Sequence, residues 1–117
     1  MSYKAKVTDL YNLISEGKML EAFDKYYGEH VIMEEVGEDQ KVGKALNRTR
    51  EEHFLASVES FHGMGIDAIT SDEDAGVTMV ESWMDASIAT FGRIKMQQVA
   101  VQKWEGDFIV HEKFYHK

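Results

Sequence analysis

The chain has 117 residues, 44% of them hydrophobic and 29% charged, which is enough for one hydrophobic core and too little for two. A formal charge of −8 at neutral pH, with no cluster of Lys and Arg interleaved with aromatics, argues against nucleic acid and anionic membrane as partners. Having no cysteine, the chain can form neither a disulfide framework nor a thiolate metal site or nucleophile.

Apolar positions at the start, MSYKAKVTDLYNLI, are broken by Lys4, Lys6, Thr8 and Asp9, so no continuous signal-peptide core forms there. No later run approaches the roughly 20 apolar residues of a membrane span. The cytoplasm is therefore the expected location.

In chain order, Tyr3, Val7, Leu10, Tyr11 and Ile14 recur at spacings of three and four, the stripe of an amphipathic helix that Gly17 stops. Met19, Phe23, Tyr26 and Tyr27 repeat the pattern up to Gly28. His30 to Val36 is rich in β-formers and reads as a strand, followed by GEDQKVGK as an exposed loop. Thr49-Arg50-Glu51-Glu52 resembles a capping box, and Leu46, Phe54, Val58 and Phe61 carry a third helical face to about Phe61. Its start lies either at that box or just after Gly43.

Beyond Phe61 the period changes to that of strands. Gly63 to Thr70, Val77 to Thr90, Arg93 to Trp104 and Phe108 to His116 are four extended stretches separated by SDEDAG, by Phe91-Gly92 and by Glu105-Gly106-Asp107. Short connections between long strands predict antiparallel hairpins. The order helix, helix, strand, helix and four strands predicts one α+β domain spanning 1–117, with helices on one face of a curved sheet. No repeat, low-complexity tract or linker divides it.

Several segments, taken in order and spacing, resemble the SnoaL-like polyketide cyclases and the wider superfamily of ketosteroid isomerase, scytalone dehydratase and nuclear transport factor two. They are Glu16-Gly17-Lys18 followed by Ala22-Phe23 and Tyr26-Tyr27, then Val31-Ile32-Met33-Glu34-Glu35, then Gly43-Lys44-Ala45, and the terminal run Trp104 to Tyr115. The resemblance covers essentially the whole chain. It implies a cone-shaped, cystatin-like fold in which three N-terminal helices pack on a curved, mostly antiparallel sheet. It also implies a cavity for a small organic ligand and a homodimer through the convex sheet face.

By the match to ketosteroid isomerase, Glu35 stands where an acidic pair ends in the general base, and a carboxylate in an apolar cavity gains proton affinity. The alternative is a pair of glutamates solvated at a strand end. The isomerase's second acid falls at Ala100 and its helix-one tyrosine beside Leu10, with Tyr11 one residue out of register, so a steroid-type oxyanion hole is not implied. The cyclase aspartate falls at Lys113, and Gln98 stands where related sequences tend to carry an acid.

Along the last strand, alternation gives two sets: Ile109, His111, Lys113 and Tyr115, and Phe108, Val110, Glu112 and Phe114. The alignment favours the first for the cavity and hydrophobicity favours the second for burial. His111 is the alternative acid/base, because an imidazole titrates near neutrality without tuning; the plainer reading is a strand histidine bonded to a neighbour.

The expected catalytic residues are thus Glu35 and His111, with Tyr11, Trp83, Gln98, Lys113 and Tyr115 shaping or orienting the ligand. Trp83 has core packing as its competing role, and His53 and His62 are lesser candidates at the cavity mouth. No metal site is expected, since His111 and His116 lie five apart on a strand and so on opposite faces. Without a phosphate loop, a nucleophile elbow or a dinucleotide fingerprint, the chemistry expected is cofactor-free acid/base work such as isomerisation, cyclisation or dehydration. The alternative is a non-catalytic ligand-binding or dimerisation module of the same fold.

Overall fold

The computed structural model describes residues 1–116. Three helices, α1 (Tyr3–Ser15), α2 (Met19–Tyr26) and α3 (Lys44–Ser57), pack on a six-stranded sheet of β1 (Tyr27–Glu35), β2 (Lys41–Val42), β3 (Val58–Asp72), β4 (Val77–Ile88), β5 (Gly92–Glu105) and β6 (Phe108–His116). The sheet order is β2-β1-β6-β5-β4-β3. Every pairing is antiparallel except β1 with β6, which is parallel. The last strand therefore lies inside the sheet, between β1 and β5.

α1 forms where the three-four spacing places it, and buries Val7, Leu10 and Tyr11. Its free N-terminal amides are taken by the Ser2 hydroxyl and, from the β3–β4 turn, by the Glu73 carboxylate, which accepts from Tyr3 and Lys4 N–H at 2.8 and 3.1 Å. α2 ends one residue before Tyr27, and β1 runs from there. Gly28, read as a helix stop, instead lies in the strand, where a Cβ would come within 3.3 Å of the Ile109 carbonyl oxygen.

α3 starts at Lys44, the earlier of the two starts considered. Gly43 caps it at φ 103°, a conformation open to glycine. Thr49 is no cap: its hydroxyl donates back to the Ala45 carbonyl from the helix interior. The helix stops at Ser57, short of Phe61, because the Ser57 carbonyl accepts from Ala89 N–H at 2.7 Å and the chain is drawn into β3. Inside the loop read from GEDQKVGK, Lys41 and Val42 pair with Met33 and Ile32 as β2.

The core gathers Val7, Leu10, Tyr11, Ala22, Phe23 and Tyr26 from the helices against Val31, Met33, Val80, Trp104 and Ile109 of the sheet. At roughly 1.5–3 kcal/mol per large side chain buried, this layer is the main source of stability. No described helix is long and apolar enough to cross a membrane.

Candidate functional site

Between helices and sheet lies a cavity of about 270 Å³. Its walls include five methionines, Met19, Met33, Met64, Met84 and Met96, whose unbranched thioethers adapt to irregular apolar shapes. The lining also carries Glu34, Glu35, Arg50, Glu51, Ser82 and Gln98, and its most deeply buried carboxyl is that of Glu112.

Glu112 is 1% exposed. It faces inward because β6 carries a bulge: Trp104 pairs with Ile109 and Lys103 with His111, leaving Val110 as the extra residue. One inserted residue reverses the side-chain alternation. Ile109 before it and Glu112 and Phe114 after it therefore share the inner face, although the sequence places them in different alternating sets.

Strand register builds the surroundings. Thr78, Gln102 and Glu112 are direct partners across β4, β5 and β6, and Met33 of β1 is next in line. Gln102 Nε2 donates to Glu112 Oε2 at 2.8 Å, and the Tyr27 hydroxyl bonds to Glu112 Oε1. Burial pushes the Glu112 carboxyl up to about 7, helped by the charge of Glu51, against the opposing pull of these two donors. An acid so placed exchanges a proton near neutrality.

The Tyr27 and Tyr11 hydroxyls, buried beside this carboxyl, are pushed above the ordinary phenol value, first by desolvation and then by the charge of Glu112. Both act at neutral pH as protonated phenols. On α3, burial also raises Glu51, which lines the cavity beside Arg50.

Of the residues singled out from sequence, Glu35, Tyr11, Trp83 and Gln98 line the cavity. Glu35 pairs in register with Phe114 on the inner face but sits at the rim, partly exposed. Its carboxyl is raised by burial and by the neighbouring Glu38, with His116 at 3.6 Å opposing. Glu35, Glu38 and His116 bring their ligand atoms within 4.8 Å of one another, close enough to share a cation. Glu38 and His116 are exposed, and exposed acidic groups gather in this way without one.

His111, Lys113 and Tyr115 do not line the cavity. His111 Nε2 bonds to Glu34 Oε2 at 2.7 Å, Lys113 stands 3.7 Å from the other oxygen of Glu34, and the Lys113 ammonium lies over the Tyr115 ring. The bulge at Val110 is the reason: past it, this alternating set points outward. Glu34 is held below the usual carboxylate range, chiefly by its bond to His111.

Sequence reasoning did not single out Glu112, Tyr27, Gln102 or Thr78 as site residues. A signal for Glu112 was present, as the one charge in the otherwise apolar set Phe108, Val110 and Phe114. Gln102 shares a face with Gln98, but only the cross-strand register reveals its partners.

The family model described as the SnoaL-like domain matches residues 1–116. Among solved structures, one from Mesorhizobium loti, provisionally assigned as a SnoaL-like polyketide cyclase, is 20% identical with a TM-score of 0.87, covering 99% of this chain and 100% of that one. An LEH-like epoxide hydrolase from M. tuberculosis is 17% identical with a TM-score of 0.78, over 98% of this chain and 82% of the other. A provisionally assigned isomerase from Bacillus subtilis is 13% identical with a TM-score of 0.82, over 100% and 90%. No curated protein sequence matches significantly. At these identities the structural likeness establishes the fold alone.

Proposed function

This chain belongs to the SnoaL-like domain family, and from that premise we propose that its cavity binds a small, largely apolar organic molecule and moves a proton on it without a cofactor. The observation that carries this reading is Glu112: a carboxyl 1% exposed, in the cavity wall, with its proton affinity raised to about 7. Ionised, it takes a proton from carbon or from water. Protonated, it returns one to another carbon or to a leaving oxygen.

Tyr27 and Tyr11 stand ready to donate to charge developing on a ligand oxygen. The burial of Glu112, beside Met and Phe side chains of the lining, keeps its carboxyl desolvated. This fits isomerisation, cyclisation or dehydration, and the fold is shared with proteins named as a cyclase, an isomerase and an epoxide hydrolase. Glu35 at the rim serves as a second acid, while His111 is assigned a structural bond to Glu34. The same reading includes a homodimer through the outward sheet face.

Cyclohex-3-enone provides a minimal test, since its double bond moves into conjugation when one carbon proton is removed and another returned. The protein is expected to accelerate this reaction over buffer, with a rate that rises through pH 7 as Glu112 ionises. Glu112→Gln is expected to lose about 100-fold or more while still binding 2-naphthol, a fluorescent probe of similar polarity. Full activity of Glu112→Gln on any substrate turned over removes Glu112 from the chemistry. Binding of 2-naphthol with no proton transfer on any carbonyl or epoxide tried favours the non-catalytic pocket.

A further inference from the structure

Behind Glu112 runs a buried line of polar side chains that touches the cavity only at its end. Trp104 Nε1 lies 3.0 Å from Thr78 Oγ1, Thr78 Oγ1 lies 2.7 Å from Gln102 Oε1, and Gln102 Nε2 lies 2.8 Å from Glu112 Oε2. Thr78 and Gln102 are 0% exposed and Trp104 is 5% exposed. Bulk solvent does not reach these bonds.

The direction of the line follows from its first member. An indole N–H only donates. Thr78 Oγ1 accepts it, so the hydroxyl hydrogen is kept off that side and points at Gln102. The amide must then present its oxygen to Thr78 and its NH2 to Glu112. Turning the amide over would leave the buried Thr78 hydrogen without an acceptor, and such groups are costly to leave unmade. The amide orientation is thus set by chemistry two residues away.

Glu112 receives the consequence. Its Oε2 meets a group that gives a hydrogen and cannot take one. Its Oε1 meets the Tyr27 hydroxyl, which does either. We propose that Trp104, Thr78 and Gln102 form a one-way chain of positioning residues, keeping Glu112 Oε2 a pure acceptor and confining the exchangeable proton of Glu112 to the Oε1 edge it shares with Tyr27. A ligand then gives up or receives its proton at the Oε1–Tyr27 edge, where both residues line the cavity.

When Glu112 is protonated, Tyr27 accepts from it and turns its own hydrogen towards the cavity. When Glu112 is ionised, Tyr27 donates to it. Other titratable groups facing this carboxyl are Tyr11 from α1 and Glu51 from α3, with Arg50 acting on Glu51. None of them is bonded to Oε2, and the Tyr11 hydroxyl, which bonds to Gln102, can give or accept a hydrogen and so does not fix the direction of the amide.

This inference rests on Glu112 being the proton carrier, and its test is chosen to be independent of any substrate. In protein carrying 13C-labelled glutamate, the Glu112 side-chain carboxyl is titrated by NMR in wild type, Trp104→Phe, Thr78→Val and Thr78→Ser. The Gln102 side-chain NH2 is followed in parallel. In wild type the two Gln102 amide hydrogens keep their environments through the titration, because the amide does not turn.

Trp104→Phe keeps an aromatic side chain but removes the indole N–H and so frees the threonine hydroxyl. The amide can then offer its oxygen to protonated Glu112, and the midpoint rises by about half a pH unit or more, roughly threefold in proton affinity. Thr78→Val does the same, and Thr78→Ser restores the wild-type midpoint, which a merely structural role would not. Wild-type midpoints and unchanged Gln102 signals in both Trp104→Phe and Thr78→Val overturn the chain. Full turnover by Glu112→Gln with the midpoints moving as stated would instead overturn the functional reading and leave the chain standing.

Discussion

At Glu112 one carboxyl is held in a place that favours its neutral form, and the cost of charging it is a stability effect. Folded, its proton affinity stands at about 7 against an ordinary 4.5. Between those pH values the folded chain holds a proton that the unfolded chain has lost, so stability falls as pH rises through this window. At about 1.4 kcal/mol per pH unit, the loss is about 3 kcal/mol between pH 4.5 and 7. Glu51, raised in the same direction, adds to it. Urea titrations at pH 5 and 7.5 are expected to show wild type less stable at the higher pH, and Glu112→Gln much less sensitive. A wild type equally stable at both would mean that Glu112 is solvated.

The candidate site was legible at this scale only in part. Glu35 and Gln98 came from the family resemblance and Tyr11 from the helix-one stripe, and all three line the cavity; Trp83 touches the lining too, although its strand alternation sets it with the outward residues Met79 and Glu81. Glu112 was passed over because a steady period of two placed it in one alternating set and the family match favoured the other. Nothing in FIVHEKFYH marks Val110 as the residue that β5 leaves unpaired.

Among the elements, β3 and β4 show how a strand leaves room for a neighbour. Gly63 and Gly65 face Trp83 across the pairing, and a Cβ on Gly65 would lie 2.3 Å from the indole nitrogen. The ring fills the space that two missing side chains create, with the Lys95 ammonium 4.7 Å over it. Gly65→Ala is expected to push the ring out, lowering stability by roughly 1–3 kcal/mol and shifting its fluorescence to the red. Unchanged emission and unchanged stability would show that the ring does not occupy that place. α1 and α2 were legible because their buried faces repeat over two turns or more. The end of α3 was not, since Val58 and Phe61 continue a helical spacing and only the long-range bond from Ala89 to Ser57 breaks it.

Over the whole molecule, charge and the outer sheet surface bear on assembly. The outward sheet face exposes Met79 and Tyr115 at 43% each, beside Trp83 and Val99. A homodimer through this face is proposed from the family resemblance and is expected in sedimentation at micromolar concentration, burying about 800 Å² per partner. Two copies at −8 repel, so association should be tighter at 0.15 M salt than at about 0.01 M. Monomer alone at both ionic strengths would end the proposal.

The order of elements apart from the short β2, the α+β class and the stripes that face the core follow from the sequence by itself, because periodicity and turn residues are local properties that survive without knowledge of partners. What tertiary structure decided is the sheet order that puts β6 beside β1, the bulge at Val110, and the register that lines up Thr78, Gln102 and Glu112. These depend on pairings between residues far apart in the chain, where one slipped residue turns every following side chain to the other face, and so the inward placement of the acid in the cavity wall was decided by the fold.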